Sequence, residues 1–184
     1  KEVEEVIERS KKSNEENERR LRKILEEARR INEENEKLLR KILEEAKRVV
    51  EEVRRILKDN KEKKERIKEL LERLEELLRK VKEDVERSVR ELAKLLKKVA
   101  EEVRKSLEDN KRTADRVVER IGEEKKEELD KLREESKKIL RHSERLLKEV
   151  EEEVKRILEH SEELLRRVED KVRRLLKEIE DALR

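Results

Sequence analysis

The apolar residues of this chain recur every three or four positions along almost its whole length, and this spacing is the strongest constraint on its fold. The row in the first third is Leu21, Ile24, Leu25, Ala28, Ile31, Leu38, Leu39, Ile42, Ala46, Val49, Val53 and Ile56. Charged residues fill the positions between, with many Glu and Lys or Arg residues four apart, which supports an exposed helical face. This period is typical of amphipathic α-helices. We therefore predict an all-α protein.

Two interruptions of the apolar row predict turns. The first lies between Leu57 and Ile67, where nine consecutive residues include no apolar side chain. Asp59 and Asn60 suit a helix cap or a turn, and Asp59 with Glu62 could form a capping box.

The second interruption lies between Ile121 and Leu129. It opens with Gly122, the only glycine of the chain, which stands where a helix commonly ends in a left-handed residue. Glu123 and Glu124 follow, and acidic residues are favourable in the first turn of a helix. We predict that one helix ends at Ile121 and that the next begins at Glu123.

A second Asp-Asn pair, Asp109 and Asn110, does not interrupt the row, because Leu107, Asn110 and Ala114 stay on one side at 100° per residue. We therefore predict that Asn110 is a core residue of a continuous helix. The predicted helices are 1–58, 61–121 and 123–184. Short loops make neighbouring helices antiparallel. The prediction is a single domain, 1–184, formed by an antiparallel three-helix bundle whose helices are about 60 residues long.

The helices repeat internally every eighteen residues. Apolar, serine and histidine positions all follow the repeat: Leu21 recurs as Leu39, Ser88 as Ser106, and His142 as His160. Eighteen residues are about five whole turns at 3.6 residues per turn, so the apolar row runs parallel to the helix axis. A strict seven-residue repeat would instead impose a left-handed supercoil. The sequence therefore predicts nearly untwisted helices.

The composition excludes several classes of protein. Disorder goes with high net charge, whereas here 56 Lys and Arg nearly balance 53 Asp and Glu, and the apolar residues are periodic. The chain lacks aromatic residues that stack on bases and a basic stripe for phosphates, so we expect no nucleic acid partner. It also lacks an apolar run long enough for a membrane span or a signal peptide. Without cysteine it has neither disulfides nor thiolate metal ligands.

The polar residues inside the apolar rows fall at matching levels of the three helices. Antiparallel pairing puts residue i of the first helix opposite about 119 − i, and residue j of the second opposite about 244 − j. Asn17 is then level with His142, and Asn35 is level with His160. We infer three buried polar layers: Asn14, Asn17, Ser106, His142 and Ser143; Asn32, Asn35, Ser88, His160 and Ser161; and Ser10, Ser13, Asn110, Thr113 and Ser136.

Such layers would act on the pairing of the helices. A buried amide or hydroxyl without a partner costs roughly 1–3 kcal/mol, whereas a satisfied network costs little and penalises wrong registers. We therefore expect the layers to specify the register, although a slip of one whole repeat would match two of them.

His142 and His160 are the only side chains that titrate near neutral pH. They are interpreted either as network members or flank residues facing solvent, or as a pH sensor. An imidazole kept neutral by burial would be protonated in acid, which lowers the stability of the bundle or alters its assembly. The two residues lie about 27 Å apart along a helix and cannot share an ion. We expect no metal and no cofactor, because Asn and Ser are poor zinc ligands.

The sequence offers no catalytic arrangement. Ser143 follows His142 directly, and adjacent helical residues point about 100° apart, so the pair is not a catalytic dyad and we predict that the protein is not an enzyme. Repeated aliphatic packing is expected to leave no sizeable cavity. Each helix has one apolar face, which favours a monomer that requires no partner, with a homo-oligomer as the alternative.

The composition, the repeat and the spaced polar core positions together resemble parametrically designed helical bundles with modular buried hydrogen-bond networks. The resemblance covers the whole chain. It implies a designed scaffold with no natural activity or localisation, soluble and cytoplasmic on recombinant expression. Designed heterodimers and pH-responsive trimers share these features, so a pH-responsive or interaction module is the alternative function.

Overall fold

A computed structural model describes residues 2–59, 64–122 and 125–184, which form three long helices. The helices are α1, Glu2–Asp59; α2, Lys64–Ile121; and α3, Lys126–Leu183. These described ranges contain no strand, so the all-α prediction is confirmed. Helix α2 continues unbroken through Asp109 and Asn110, as predicted from the phase of the apolar row.

The described parts of α2 and α3 begin at Lys64 and Lys126, and the predicted starts at positions 61 and 123 lie outside the described residues. The predicted capping box, Asn60, and the pair Glu123 and Glu124 fall on positions that lie outside the described residues.

Gly122 ends α2 as the sequence predicts. Its φ of 65° lies in the left-handed region, and its amide nitrogen donates to the carbonyl oxygen of Val118 at 3.4 Å. This bond satisfies one of the carbonyl groups that the last turn of a helix leaves open. A β-carbon at Gly122 would meet no atom within 4 Å. The need for glycine therefore comes from the backbone conformation and not from crowding.

Replacing Gly122 with alanine should lower the free energy of unfolding by roughly 1–2 kcal/mol, because the left-handed conformation strains a residue with a β-carbon. Gly122→Asn should cost less, since asparagine tolerates this conformation. Chemical denaturation of the three proteins measures both differences. An alanine variant as stable as the parent would mean that the chain ends α2 in another way.

The chain packs as two compact units, and each unit takes a segment from all three helices. Unit 1 comprises Lys1–Ala28 and Ala93–Arg156, and unit 2 comprises Arg29–Leu92 and Ile157–Arg184. The assignment of the chain to a single domain and the lack of supercoil both stay predictions.

In unit 1, α1 and α2 run antiparallel, as predicted. Glu2 pairs with Arg120 at 2.7 Å, and Arg20 pairs with Glu102 at 3.7 Å, so residues later in α1 meet residues earlier in α2. An apolar cluster joins all three helices of the unit: Val3, Val6, Ile7, Ala114, Val117 and Leu132. Each such side chain contributes roughly 1.5–3 kcal/mol when it is fully buried.

In unit 2, α1 and α3 run in the same direction, as two short turns require. Asn32 is bonded to Ser161, and Arg54 lies 4.0 Å from Glu178. Later residues of α1 therefore contact later residues of α3. The core of the unit is aliphatic throughout, and its completely or almost completely buried residues include Leu39, Ile42, Ala46, Val53, Ile67, Leu74, Val85 and Val172. The predicted apolar rows are therefore the faces that meet inside the unit.

None of the helices in the described part of the chain has a segment long and apolar enough to cross a membrane.

Candidate functional site

The polar layer of unit 2 joins α1 to α2 through Asn35 and Ser88. Asn35 is only 4% exposed, and its Nδ2 donates to Ser88 Oγ at 3.1 Å. Ser88 Oγ lies 3.2 Å from Asn35 Oδ1 and 2.8 Å from the carbonyl oxygen of Val85. A hydroxyl has one proton, so Ser88 donates to one of these two oxygens while it accepts from Asn35. The predicted association of Asn35 with Ser88 is present.

The same layer joins α1 to α3 through Asn32 and Ser161. Ser161 is buried, and its Oγ donates to Asn32 Oδ1 at 2.7 Å. Asn32 Nδ2 in turn donates to Glu36 Oε1 on its own helix at 3.3 Å. Two asparagines of α1 therefore bond to both neighbouring helices within unit 2.

In unit 1, two of the predicted layers are connected. Ser13 Oγ lies 2.8 Å from Ser106 Oγ, Asn17 Nδ2 donates to Ser106 Oγ at 3.1 Å, and Asn110 Nδ2 donates to Ser13 Oγ at 3.2 Å. The separation of Ser13 and Asn110 from the Asn17 layer was therefore wrong. One helical turn is about 5.4 Å, and Ser13 and Asn110 each lie about one turn from a member of the other layer, so their side chains reach it.

Asn14 departs from its repeat equivalent Asn32. Asn14 Nδ2 donates to the carbonyl oxygen of Ile139 in α3 at 3.1 Å, whereas Asn14 Oδ1 is buried and has no hydrogen-bond partner within the described structure. Ser143, the repeat equivalent of Ser161, is buried but does not donate to Asn14 Oδ1. The repeat of the sequence is thus not fully reproduced in the hydrogen bonds.

The histidines are exposed, so the prediction that they belong to the buried layers was wrong. The side chain of His160 is 57% exposed, and its Nε2 lies 3.3 Å from Glu36 Oε1. The buried directions are taken by Ser143 and Ser161, one residue further along α3. Since adjacent helical residues point about 100° apart, each histidine faces outward beside its buried serine.

The remaining predicted layer residues lie near one end of unit 1 and make fewer cross-helix bonds. Ser10 is buried, whereas Thr113 Oγ1 donates to the carbonyl oxygen of Asp109 on its own helix at 2.9 Å. Ser136 Oγ is buried and makes no hydrogen bond to the described residues. Thr113 and Ser136 therefore add no cross-helix hydrogen bond among the described residues, although Ser136 Oγ is buried.

Unit 1 also contains a cavity of about 150 Å³, so the expectation that the core leaves no sizeable cavity was wrong. Asn14, Asn110 and Ser136 are among the residues that line it. A cavity of this size exceeds the volume of one water molecule several times.

A half-buried carboxylate between α2 and α3 of unit 2 was missed by the sequence reading, which treats the charged residues as solvated faces. The side chain of Glu169 is 13% exposed and accepts from Arg173 at 2.8 Å and from Lys82 at 3.2 Å. Burial by itself would raise the pKa of Glu169, but hydrogen bonds from Arg173 and Lys82 and their positive charges outweigh it and lower this pKa below its ordinary value of 4.5. In unit 1, the equivalent Glu151 accepts from Arg104 at 2.6 Å.

Because the pKa of Glu169 is lowered by folding, its ionised form stabilises the protein above the pKa of the unfolded chain. This contribution is lost as the pH falls through the lowered value. Glu169→Gln should therefore be less stable than the parent at neutral pH, and the difference should vanish in strong acid. Denaturation curves between neutral pH and about pH 2 measure this.

Glu163→Gln is the matched control, because Glu163 is 59% exposed and its recorded ion pair is with Arg167 on its own helix. Its stability should follow that of the parent at every pH, since exposed pairs contribute little. Equal effects of the two substitutions would contradict a special role for Glu169.

The described residues hold no group of three or more histidine, cysteine, aspartate or glutamate side chains placed to bind one metal ion. The polar groups thus bond the helices to one another. The cavity of unit 1 is mainly apolar, with a few polar atoms in its lining.

Three long helices, with aliphatic cores and polar cross-helix bonds, define the class of a three-helix bundle. The chain is similar to a solved structure described as a computationally designed three helix bundle, with a TM-score of 0.75 and 21% sequence identity, over 99% of this chain and 90% of that chain. This likeness confirms the three-helix fold. No protein-family model matches the sequence, and no curated protein matches it.

Proposed function

We propose that this chain is a designed structural scaffold without natural biochemical activity, in which buried Asn and Ser residues specify how the helices pair. One observation carries this proposal. The same Asn-to-Ser bond between α1 and α2 occurs in each unit, from Asn17 to Ser106 and from Asn35 to Ser88, at 3.1 Å in both cases. The eighteen-residue repeat relates the two bonds, because Asn35 lies one repeat after Asn17 in α1 and Ser88 lies one repeat before Ser106 in α2.

The bonds act on the register because Asn17 and Asn35 are almost completely buried. A shift of α2 by one turn in one direction would place Val103 and Val85 opposite Asn17 and Asn35, and a shift in the other direction would place Leu92 opposite Asn35. The buried amide would then lack a partner, at a cost of roughly 1–3 kcal/mol for each group. The aliphatic contacts by themselves discriminate less, since Leu, Ile and Val recur at every level of the repeat.

Designed origin and the absence of a natural activity are supported by the sequence itself. The chain uses no Phe, Trp, Tyr, Met, Cys or Pro, and 59% of its residues are charged, where a natural globular protein has about 25%. The titratable residues with chemistry near neutral pH, His142 and His160, are exposed and are not gathered in the cavity.

The proposal is tested by removing the four residues of the repeated bond, in the variant Asn17→Val/Asn35→Val/Ser88→Ala/Ser106→Ala. Valine already occupies the equivalent buried position 53. We expect the free energy of unfolding to change little or to rise, because both partners of each bond become apolar. We expect the amide NMR spectrum to show doubled or broadened signals, because pairings that differ in register become similar in energy.

The matched control replaces Glu16, Glu34, Arg87 and Lys105 with alanine. Each of these residues is exposed and adjacent in sequence to one of the four layer residues. The control should keep the single set of sharp signals of the parent. A layer variant with the same single set of signals would contradict the proposal that the bonds specify the pairing.

The second candidate function is a pH-responsive or interaction module that protonation of His142 and His160 would loosen or reassemble. The contact of His160 Nε2 with Glu36 Oε1 at 3.3 Å is the observation that bears on it. Both side chains are partly exposed, and exposed pairs of this kind contribute about 0–1 kcal/mol. The contact therefore gives little support to a switch that loosens the bundle.

We expect the free energy of unfolding at about pH 5.5 to equal that at about pH 7.4 within about 1 kcal/mol. The protein should also remain a monomer of 22.5 kDa at both values, because the exposed large apolar residues in the described ranges are Leu38, Leu77 and Leu95, and single exposed leucines are common on monomers. Denaturation curves and light scattering measure both quantities.

A loss of several kcal/mol or a change in mass at about pH 5.5, absent from His142→Asn/His160→Asn, would instead establish the pH-responsive module. A mass that is a multiple of 22.5 kDa at both pH values would contradict the monomer.

A further inference from the structure

The cavity of unit 1 lies where the sequence departs from its own repeat. Ala114 stands where the preceding repeat has Leu96, and Ser136 stands where the following repeats have Val154 and Val172. Both Ala114 and Ser136 line the cavity. The cavity of about 150 Å³ is therefore the space that these shorter side chains leave between the helices of this unit.

The lining is apolar apart from a few polar atoms, two of which have no partner. Leucine, isoleucine and valine side chains provide the apolar part: Leu107, Val118, Leu132, Ile139 and Leu140. Asn14 Oδ1 and Ser136 Oγ, which belong to lining residues, are buried without a hydrogen bond to any described residue. A buried polar atom without a partner is unfavourable relative to a bonded one.

Other hydroxyls of this chain bond to a carbonyl oxygen of their own helix. The hydroxyl of Thr113 donates to the carbonyl oxygen of Asp109, and that of Ser88 lies 2.8 Å from the carbonyl oxygen of Val85, both on the preceding turn of the same helix. Helical serines commonly satisfy themselves in this way. Ser136 Oγ makes no such bond and has no partner among the described residues.

These features define the chemistry of a ligand. An apolar cavity of about 150 Å³ is large enough for benzene, so a single aromatic ring fits. Asn14 Oδ1 accepts hydrogen bonds and Ser136 Oγ both donates and accepts, so a hydroxyl on the ring supplies a partner. An ionised ligand is disfavoured, because burying a charge beside an amide oxygen and aliphatic side chains is costly.

We propose that this cavity is a binding site for a small neutral aromatic alcohol, such as phenol. The ring contacts the aliphatic lining of α2 and α3, and the hydroxyl bonds to Ser136 Oγ. The exposed residues Lys111, Asp115, Arg133 and Lys137 line the cavity as well and form the charged part of its boundary.

The test titrates the full chain with phenol and with benzene, followed by calorimetry and by amide chemical shifts. We expect saturable binding of one phenol, with shifts concentrated at the lining residues. Phenol should bind up to about tenfold more tightly than benzene, which corresponds to one net hydrogen bond. Absence of saturable phenol binding, or equal affinities for the two probes, would overturn the proposal.

Two variants restore the residue of the neighbouring repeat and so fill the cavity. Ala114→Leu should abolish binding of both probes, because the leucine side chain occupies their space. Ser136→Val should remove most of the preference for phenol over benzene. Phenol binding to Ala114→Leu with the affinity of the parent would show that the ligand lies elsewhere.

Thr113→Leu is the matched control, because it also restores the residue of the preceding repeat, Leu95, but Thr113 does not line the cavity. This variant should bind phenol like the parent. Circular dichroism verifies that each variant is helical. If Ala114→Leu does not fold, Ser136→Val decides: an unchanged ratio of phenol to benzene affinity in that variant would contradict the proposal.

Discussion

Burial of one aliphatic face on each helix is the constraint on which the rest of the structure depends. The described residues contribute no disulfide and no metal group, so packing of Leu, Ile, Val and Ala provides most of the driving force, at roughly 1.5–3 kcal/mol for each large side chain. Since these residues recur every eighteen positions, their packing favours helices but discriminates weakly between registers. The Asn–Ser bonds add that discrimination, because at most other registers a buried amide would lack a partner.

The sequence predicted the elements well because its patterns reflect local physics. The apolar period sets the phase of each helix, and Gly122 supplies the one left-handed residue among those that the structure describes. Antiparallel geometry placed Asn35 and Ser88 in the same layer to within about one helical turn, but it did not specify the bond between them. Burial of the histidines was predicted wrongly. The prediction matched residues by their position along the helix axis, and this position does not determine in which direction around the axis a side chain points. His160 shares its level with Ser161 but points about 100° away.

Other features of the candidate site depend on side-chain packing that no periodic pattern specifies. The replacement of Leu96 by Ala114 in the repeat is visible in the sequence, but a cavity results only because the neighbouring side chains do not close over the space. In the same way, the sequence does not distinguish Glu169 from the other charged residues. Only the packing of α2 against α3 places Lys82 Nζ 3.2 Å from Glu169 Oε1. The repeat also does not specify the side-chain rotamer of Asn14. That rotamer decides whether Asn14 bonds as Asn32 does or donates to the carbonyl oxygen of Ile139.

The most direct test of this account is hydrogen exchange of the Asn35 side-chain amide, together with its nuclear Overhauser contacts. If the bond to Ser88 Oγ sets the pairing of α1 and α2, the Nδ2 protons exchange much more slowly than those of a free asparagine and show contacts to the β-protons of Ser88. Exchange at the rate of a free side chain, or contacts to a residue one turn away in α2, would contradict the account.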